Sequence, residues 1–339
     1  MAARHDLLTY VDGSHVGKAA VRNGFRDFTP HGMTVAEVQA TDMQGARWLV
    51  VAGFLYALDA ADVTTVHNGA SVLVSSNGGR YKIQRQGREV LTAARTYFVA
   101  TTGSDANSGL SVGSPFLTIQ AAYNRIADTL DLGGQLVTIK VAAGTYAGGL
   151  TIANPWTGGG RVILEGDTSN PNSVFISPGS FGLYGVYTAA PLPGPLTVRG
   201  LSFQTAGNSI QHTAAGVMWV SAVNFSTCGG YHVAAQAPGA DVTFVGPYTI
   251  SGGAVGHIAA QSGGHVFAGV AITLTGTPAF GFTFAYLSAL SSVDFPGATF
   301  TGAATGQRYY VAGNSVVSSG GVTLPGSTAG AVVTGGQYL

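Results

Sequence analysis

The chain has few ionisable residues and almost no cysteine. Of its 339 residues, 15 are Lys or Arg and 15 are Asp or Glu, so the formal net charge is zero. Without a basic excess, the protein lacks the attraction that drives binding to nucleic-acid backbones and to anionic lipid. The one cysteine, Cys228, excludes an internal disulfide framework and a multi-thiolate metal site. We therefore expect no nucleic-acid partner, and we assign no metal or other cofactor.

Long apolar segments and a leader sequence are also lacking. The longest apolar run, Trp48–Leu58, has about half of the roughly 20 residues that a membrane-spanning helix requires. The first residues, Met1–Asp6, are not followed by a continuous apolar stretch, so no secretory signal peptide is predicted. We expect no membrane insertion and no export by that route. The hydrophobic fraction of 46% nevertheless indicates a folded chain with a large core.

The charged residues are concentrated near the N-terminus. Residues 1–97 include 18 of them, whereas residues 168–339 include four. Helices with Lys- and Glu-rich exposed faces are therefore excluded from the second part. Its four charged residues are Arg199, Asp241, Asp294 and Arg308.

This change in composition marks two kinds of structure, and together with the repeat, the helix and the resemblance described below it leads to a division into four regions. In the first region Arg47–Leu58, Ala70–Ser75 and Arg80–Ile83 have the composition of short strands separated by turn-forming residues. The four predicted regions are a small β-rich domain over 1–96, an entry segment with a capping helix over 97–133, a β-coil over 134–326 and a C-terminal tail over 327–339.

A short apolar-polar-apolar motif recurs through the second part. Its third residues lie 24, 27, 22, 25, 24, 26 and 24 positions apart. Glycines, which turn corners at positive φ without steric cost, follow most of the copies. The eight copies are Leu150–Ile152, Val174–Ile176, Leu201–Phe203, Val223–Phe225, Tyr248–Ile250, Ile272–Leu274, Ala298–Phe300 and Val322–Leu324.

Two further columns of apolar residues keep the same period. Three short strands per turn with glycine corners are typical of a parallel β-solenoid, in which each strand pairs with its counterpart one turn away. An antiparallel sandwich or barrel also has short strands, but it does not require the same column in every third strand. We predict an all-β fold of about eight turns of about 24 residues. The columns are Val186, Ile210, Val233 and Ile258, and Val198, Val220, Phe244, Phe267, Val293 and Val317.

The exposed strand edges at the end of such a coil need a cover. The segment Thr118–Leu130 has an apolar residue at each position that faces one side of a helix. It is predicted to be an amphipathic helix that caps the N-terminal end of the coil. The apolar face consists of Ile119, Ala122, Tyr123, Ile126 and Leu130.

The residues before this helix resemble a known family. Gly103–Leu110 (GSDANSGL) and Ser114–Ala122 (SPFLTIQAA) resemble the entry segment of the pectate-lyase-like right-handed parallel β-helix superfamily, which includes phage tailspikes and polysaccharide lyases. The tail, Leu324–Leu339, and segments between Trp48 and Ile83 also resemble parts of tailspike-like proteins of phages and prophages. The resemblance implies a right-handed coil and a homotrimer on a virion. It further implies that the N-terminal domain docks to a tail or capsid protein and that the coil meets host surface polysaccharide.

Three functions remain open from this resemblance. The favoured one is a tailspike or tail fibre that binds host polysaccharide for adsorption. The second is an endo-acting depolymerase of the same fold, either a lyase or a glycosidase, and the third is a purely structural baseplate, collar or head component. The scarcity of carboxylates favours binding, because glycoside hydrolysis usually needs two carboxylates and lyase chemistry needs a base with charge neutralisation.

Four carboxylates are the candidates for catalysis. Glu165 and Asp167 lie two residues apart, so they point to one side of a strand and form the best pair within one chain. A solvated strand end is the alternative for this pair. Asp241 and Asp294 lie about two turns apart, and we expect that they do not face each other within one chain. A site completed by a neighbouring subunit stays open.

Aromatic and amide side chains are the candidates for glycan binding, since aromatic faces with amide and hydroxyl groups suit neutral sugars. His232 and His257 are included because we expect them to point outward on consecutive turns. For the two histidines the alternatives are a metal site and, as the favoured one, a surface ladder or a pH-sensitive contact between subunits. Core or interface packing is the alternative for every aromatic and glutamine candidate. These are Trp156, Tyr184, Tyr187, Tyr231, Tyr286, Tyr309, Tyr310, Gln211, Gln236 and Gln261.

Two remaining features favour structural roles. Asp105, Asn107 and Gly109 are similar to part of a calcium loop, but the later acidic ligands are absent, so a hydrogen-bonded turn is favoured. Cys228 has no accompanying His or Asn motif, so we expect a small buried residue and not a nucleophile.

Overall fold

A computed structural model shows an all-β protein with few helices. It describes residues 9–11, 16–18, 25–26, 34–40, 46–51, 54–67, 72–85, 88–178 and 184–339. The chain divides into two compact units. The first comprises Met1–Thr92 and Asp128–Gly133, and the second comprises Ala93–Ala127 and Gly134–Leu339. The two α-helices of the described residues have six and eleven residues, and neither is long and apolar enough to cross a membrane.

The first unit is rich in β-strands. In its larger sheet β4, β5, β7 and β8 pair antiparallel in that order, while β3 and β10 add to it in parallel. The elements are β1 (Thr9–Val11), β2 (Val16–Lys18), β3 (Phe25–Arg26), α1 (Val35–Ala40), β4 (Trp48–Val51), β5 (Phe54–Leu58), β6 (Val72–Val74), β7 (Arg80–Arg85), β8 (Arg88–Val90) and β10 (Leu130–Asp131).

One predicted strand of this unit is wrong in its extent. The segment Arg47–Leu58 contains two strands, because β4 and β5 pair antiparallel with Val51 opposite Phe54. A hairpin satisfies the backbone groups of its two halves against each other, which a single strand of that length does not. The strand predicted over Ala70–Ser75 is β6, and its residues 70 and 71 lie outside the described residues.

The second unit is a parallel β-solenoid of about eight turns, which confirms the predicted fold class. Its turns contribute strands to three sheets, and the strands within each sheet pair in parallel. The ten-stranded sheet contains β9 (Arg95–Val99), β11 (Leu136–Val141), β14 (Arg161–Glu165), β17 (Leu196–Arg199), β20 (Gly216–Ser221), β23 (Ala240–Phe244), β26 (His265–Phe267), β29 (Ser292–Asp294), β32 (Val316–Ser318) and β34 (Gln337–Tyr338).

The other two sheets complete each turn. The seven-stranded sheet contains β12 (Gly144–Tyr146), β15 (Val174–Ile176), β18 (Ser202–Thr205), β21 (Asn224–Cys228), β24 (Tyr248–Ile250), β27 (Ala271–Leu274) and β30 (Thr299–Thr301). The eight-stranded sheet contains β13 (Leu150–Ile152), β16 (Val186–Thr188), β19 (Ile210–His212), β22 (Tyr231–Ala235), β25 (Ala254–Gln261), β28 (Ala279–Ser288), β31 (Thr305–Val311) and β33 (Ala331–Val332).

Most of the predicted columns are registers of these sheets. The column from Val186 to Ile258 is confirmed, since its four residues are direct Cα partners in the eight-stranded sheet. Five copies of the repeated motif place their third residues in one register of the seven-stranded sheet. These five residues are Ile176, Phe203, Phe225, Ile250 and Leu274, and all are buried.

Three copies of the motif were assigned wrongly. Leu150–Ile152 is β13 of the eight-stranded sheet, where Leu150 pairs with Val186. Phe300 pairs with Ile272 and not with Leu274, so this copy is shifted by two residues. Val322–Leu324 is not a strand. A shift of two residues keeps the same face inward, which is why the sequence pattern does not reveal it.

The column through Val198, Val220 and Phe244 is also confirmed only in part. These three residues share a register of the ten-stranded sheet. Phe267 does not continue it, because it pairs with Thr243 and Asp294 and lies half-buried on the outer surface.

The corners between strands bring backbone segments very close together. Gly200 has a φ of 71°, and a Cβ atom on it would lie 2.7 Å from the carbonyl carbon of Asp167 in the preceding turn. Only glycine combines this φ with that approach without strain. The coil therefore depends on glycine at the corner between β17 and β18.

Helix α2 (Ile119–Thr129) caps the first turn, as predicted. The hydroxyl of Thr118 accepts a hydrogen bond from the amide of Ala121, which caps the N-terminus of the helix. The Gln120 side chain donates to the carbonyl of Thr151 at 3.0 Å and accepts from its amide at 2.8 Å. Because Thr151 is the middle residue of the edge strand β13, Gln120 supplies the hydrogen bonds that a further strand would otherwise make.

Candidate functional site

Four aromatic side chains form a contiguous cluster on the eight-stranded sheet. The ring centroids of Tyr231 and Tyr286 lie 6.2 Å apart and stacked, and Tyr286 lies 6.0 Å from Tyr310. Phe282 contacts both Tyr286 and Tyr310 at 5.5 Å. Phe282 is 38% exposed and the three tyrosines are half-buried, so ring surface is available to a ligand. We call these four residues the aromatic cluster.

Gly256 makes this arrangement possible. Tyr231 and Tyr286 belong to β22 and β28, which are separated by β25, and Gly256 is the β25 partner of Tyr231. A Cβ atom at Gly256 would lie 2.7 Å from Cε1 of Tyr231. The missing side chain thus lets the Tyr231 ring lie across β25 and reach Tyr286.

A chain of amide hydrogen bonds runs along the same sheet. The Gln211 amide donates to Oε1 of Gln236, and the Gln236 amide donates to Oε1 of Gln261, each at 2.5 Å. Asn208 donates to Gln211 at one end, and Gln261 donates to the hydroxyl of Ser288 at the other. We call these five residues the amide ladder. Consecutive members lie one turn apart from Gln211 to Ser288, so the ladder follows the coil axis.

The surface of this sheet is almost uncharged. The strands β13, β16, β19, β22, β25, β28, β31 and β33 contain a single charged residue, Arg308. Burial, and to a lesser extent the neighbouring Tyr286, raise the pKa of Tyr231 to about 12. The Tyr231 hydroxyl therefore stays protonated at neutral pH and can donate a hydrogen bond. This face of the coil offers aromatic rings, amides and hydroxyls, the groups from which the sequence analysis predicted glycan binding.

Four of the candidates for glycan binding have other environments. Trp156 is only 2% exposed, so it presents no ring to a ligand and belongs to the core. Tyr309 stacks on Tyr338 at 3.9 Å, which extends the coil packing into the tail. Tyr184 and Tyr187 lie 4.8 Å apart and half-buried, several turns before the aromatic cluster.

The prediction that His232 and His257 point outward is wrong. Both residues are completely buried, and their Nδ1 atoms lie 3.2 Å apart. Phe225 stacks on His232, and Tyr248 and Phe284 pack against His257. Simple alternation of buried and exposed residues breaks down in β25, where the five consecutive residues from Gly256 to Ala260 are all buried and the register with β28 shifts between Ala254 and Gly256. A pattern with a period of two does not show such an irregularity.

The Asp241 and Asp294 carboxylates lie on the ten-stranded sheet and share one partner that the sequence analysis missed. Nδ1 of His265 lies 3.1 Å from Oδ2 of Asp241, and Nε2 of His265 lies 2.9 Å from Oδ2 of Asp294. The three residues lie on the consecutive strands β23, β26 and β29. The two carboxylates lie two turns apart, as expected, but they flank one imidazole that bridges them, which the sequence analysis did not predict. The spacing of 24 residues between Asp241 and His265, one turn, was the signal that could have revealed the contact.

Electrostatics make this Asp–His–Asp cluster a poor acid catalyst. The hydrogen bond from His265 lowers the pKa of Asp241, whereas a general acid needs a raised carboxyl pKa. The same bond, together with that of Asp294, raises the pKa of His265 to about 9, against partial burial. At neutral pH the cluster therefore consists of an imidazolium between two carboxylates.

Glu165 and Asp167 are also held in the ionised form. Burial opposes ionisation of Glu165, but hydrogen bonds from Lys140 and Arg199 outweigh it and lower the pKa. The backbone amides of Asn170 and Ser169 donate to Asp167 and lower its pKa. Both carboxylates thus have local structural partners.

The residues with possible metal or nucleophile chemistry have structural roles. Both carboxylate oxygens of Asp105 accept hydrogen bonds from Leu117 or Thr118, and Asn107 donates to the carbonyl of Pro115. Within the described part of the chain, no group of three or more His, Cys, Asp or Glu residues could hold a metal ion. Cys228 is buried, and burial raises the pKa of its thiol to about 11, which disfavours the nucleophilic thiolate.

Comparison with protein-family models, curated proteins and solved structures found no significant match to the chain. A parallel β-solenoid is typical of tailspikes and of enzymes that act on polysaccharides. The choice among these functions therefore depends on the surface chemistry of the coil.

Proposed function

We propose that the protein is a virion adhesin, a trimeric tailspike or tail fibre whose coil binds host surface polysaccharide. The observation that carries this proposal is the aromatic cluster beside the amide ladder on an almost uncharged sheet. Sugars present apolar C–H faces that pack on aromatic rings, and hydroxyls that pair with amides and phenols. The sheet offers both kinds of contact on adjacent strands.

The proposal assigns the N-terminal unit to attachment on the particle, through a tail or capsid protein. Support comes from the concentration of charge in that part of the chain, since polar surfaces suit reversible protein contacts better than the almost uncharged coil does. The enzymatic alternative is weaker. The four candidate carboxylates have cationic or backbone partners, and the pKa values of Glu165, Asp167 and Asp241 are lowered, whereas a general acid needs a raised one.

A binding experiment tests the adhesin function. The full chain is applied to immobilised bacterial capsular polysaccharides, O-antigens and neutral cell-wall polysaccharides, and binding is measured. The mass of the protein in solution is measured as well, which gives its oligomeric state. Tyr286→Ala removes the ring that contacts the other three members of the cluster, and it is expected to weaken binding at least tenfold. Trp219→Ala is the matched control, because Trp219 is a half-buried aromatic residue on the ten-stranded sheet.

Equal binding by both variants would overturn the assignment of the site, and absence of binding to any polysaccharide would overturn the adhesin function. The same mixtures are assayed for new reducing ends and for unsaturated products. Rapid shortening of the polysaccharide would establish the depolymerase in place of the adhesin.

A further inference from the structure

The amide ladder has hydrogen-bonding capacity that its internal bonds do not use. A glutamine amide has two N–H donors and an oxygen with two lone pairs. In the ladder Gln236 and Gln261 each accept one hydrogen bond and donate one. Each therefore retains one donor and one acceptor, and both side chains are half-buried at the surface, within reach of a ligand.

These unused groups repeat with the period of the coil. Gln236 and Gln261 follow Ala235 and Ala260, which are Cα partners on adjacent strands. Adjacent strands lie about 4.8 Å apart, so a donor and an acceptor recur at about that interval along the axis. One sugar residue in an extended polysaccharide advances by a similar distance and presents hydroxyls of both hydrogen-bonding roles.

Two members of the aromatic cluster, Tyr286 and Tyr310, lie farther along the axis than the last glutamine of the ladder. Gln211 lies on β19, Gln236 directly follows β22, Gln261 ends β25, and the ladder ends at Ser288 in β28, the strand that also carries Tyr286. Tyr310 follows on β31. A linear ligand that leaves the amides thus meets aromatic rings directly. The five strands from β19 to β31 span about 19 Å.

We propose that this surface takes an uncharged polysaccharide that lies along the coil axis, with about one sugar residue per turn, and that Gln236 and Gln261 determine its specificity. The inference rests on the proposed adhesin function and adds the class and direction of the ligand. An anionic polysaccharide would need cationic partners, and the strands of this sheet carry one cation, Arg308, on β31.

Two measurements on the full-length protein test the ligand class and its direction. Affinity for neutral oligosaccharides of increasing length, cut from the polysaccharide that binds best, should rise up to about five residues and then level off. A ligand that runs parallel to the strands, around the coil, would stop gaining affinity at two or three residues, which would overturn the proposed direction. Binding should be insensitive to salt, because screening acts on charged partners. A steep loss of affinity in salt, or preference for an anionic polymer, would overturn the neutral class.

Gln261→Ala should weaken binding by about fivefold to tenfold, the equivalent of one or two hydrogen bonds. Gln204→Ala is the matched control, since Gln204 is an exposed glutamine on the seven-stranded sheet and lines a cleft with Thr205 and Thr227. A larger loss in Gln204→Ala would place the ligand in that cleft and overturn the proposal. If Gln261→Ala changes the oligomeric mass and leaves polysaccharide binding unchanged, the ladder is a contact between copies of the chain and the proposal fails. The adhesin function would still stand in that case, because the polysaccharide is still bound.

Discussion

The Nδ1 atoms of His232 and His257 lie 3.2 Å apart inside the coil, and this contact fixes the protonation of both rings. Nε2 of His232 must donate to the carbonyl of Ser226, so its Nδ1 is an acceptor. Nδ1 of His257 then donates to it, and Nε2 of His257 accepts from the hydroxyl of Tyr248 at 2.7 Å. Every ring nitrogen is satisfied only when both imidazoles are neutral.

This buried chain predicts a loss of stability in mild acid. Burial lowers the pKa of His232 to about 3, and burial together with the adjacent His232 lowers the pKa of His257 well below its usual value. Burial also lowers the pKa of His212. The unfolded chain takes up protons below its histidine pKa of about 6.5, whereas His232 and His257 in the folded chain stay neutral. The free energy of unfolding should therefore fall as pH falls from about 6.5 to 5, with a slope that approaches about 1.4 kcal/mol per pH unit for each of these two histidines.

Urea unfolding at several pH values measures this slope. The window above pH 5 keeps the carboxylates ionised in both states, so their titration does not contribute. A free energy of unfolding that is constant between pH 6.5 and 5 would contradict the neutral histidine chain.

The stabilising contribution of His265 should be lost at the alkaline side of the pH profile. Its pKa is raised to about 9 by Asp241 and Asp294, so its contribution is complete below about pH 6.5 and is lost as pH rises through 9. In His265→Gln, the loss of stability between pH 6.5 and 9 should shrink, while the acid limb stays as steep as in the unchanged protein. Thermal melts of both proteins at several pH values measure this loss. At high salt the unchanged protein should lose less stability between pH 6.5 and 9, because the Asp–His–Asp cluster is about one-third exposed and its charges are screened. Identical alkaline limbs in both proteins would show that the bridge does not contribute.

The repeat of about 24 residues was sufficient to predict the solenoid and its turn count, and the helical spacing of apolar residues from Ile119 predicted its cap. Register pairs residues one turn apart, so columns such as Val186 to Ile258 are visible in the sequence. Shifts by two residues, as at Phe300, leave the inward face unchanged and were invisible. The handedness of the coil, the trimer and the virion location stay predictions.

The candidate site was predictable in composition but not in arrangement. Tyr231, Tyr286 and Tyr310 were predicted to offer aromatic rings to a glycan. The contact between Tyr231 and Tyr286, however, depends on the space left by Gly256, which the periodicity of the sequence does not reveal. The prediction for His232 and His257 is wrong because β22 and β25 bury runs of consecutive residues, which strict alternation does not allow. His265 was overlooked since the carboxylates were compared with each other and not with the histidine one turn away.

Two phenylalanines of the repeated motif should differ in their contribution to stability. Phe225 is completely buried and contacts Phe203, Phe244 and Tyr248, whereas Phe300 is half-buried near the end of the seven-stranded sheet. Phe225→Ala should lower the free energy of unfolding by about 3 to 5 kcal/mol, the usual cost of a large cavity. Phe300→Ala should cost clearly less. Equal losses in denaturant unfolding would show that the two copies of the motif are packed alike.

Gly256 and Gly281 provide a matched pair that tests the construction of the aromatic cluster. A Cβ atom at Gly256 would lie 2.3 Å from the carbonyl oxygen of Thr283, as well as against the Tyr231 ring, so backbone and ring must both move. At Gly281, on the neighbouring strand β28, the nearest atom would be 3.9 Å away. Gly256→Ala should therefore lower the melting temperature by several degrees and alter the near-ultraviolet circular dichroism of the tyrosines, with a cost of about 1 to 3 kcal/mol for the overpacked site. Gly281→Ala should leave both signals close to those of the unchanged protein, and weaker polysaccharide binding should accompany only the Gly256 variant. If the two variants behave alike, the Tyr231 ring does not depend on the gap above β25.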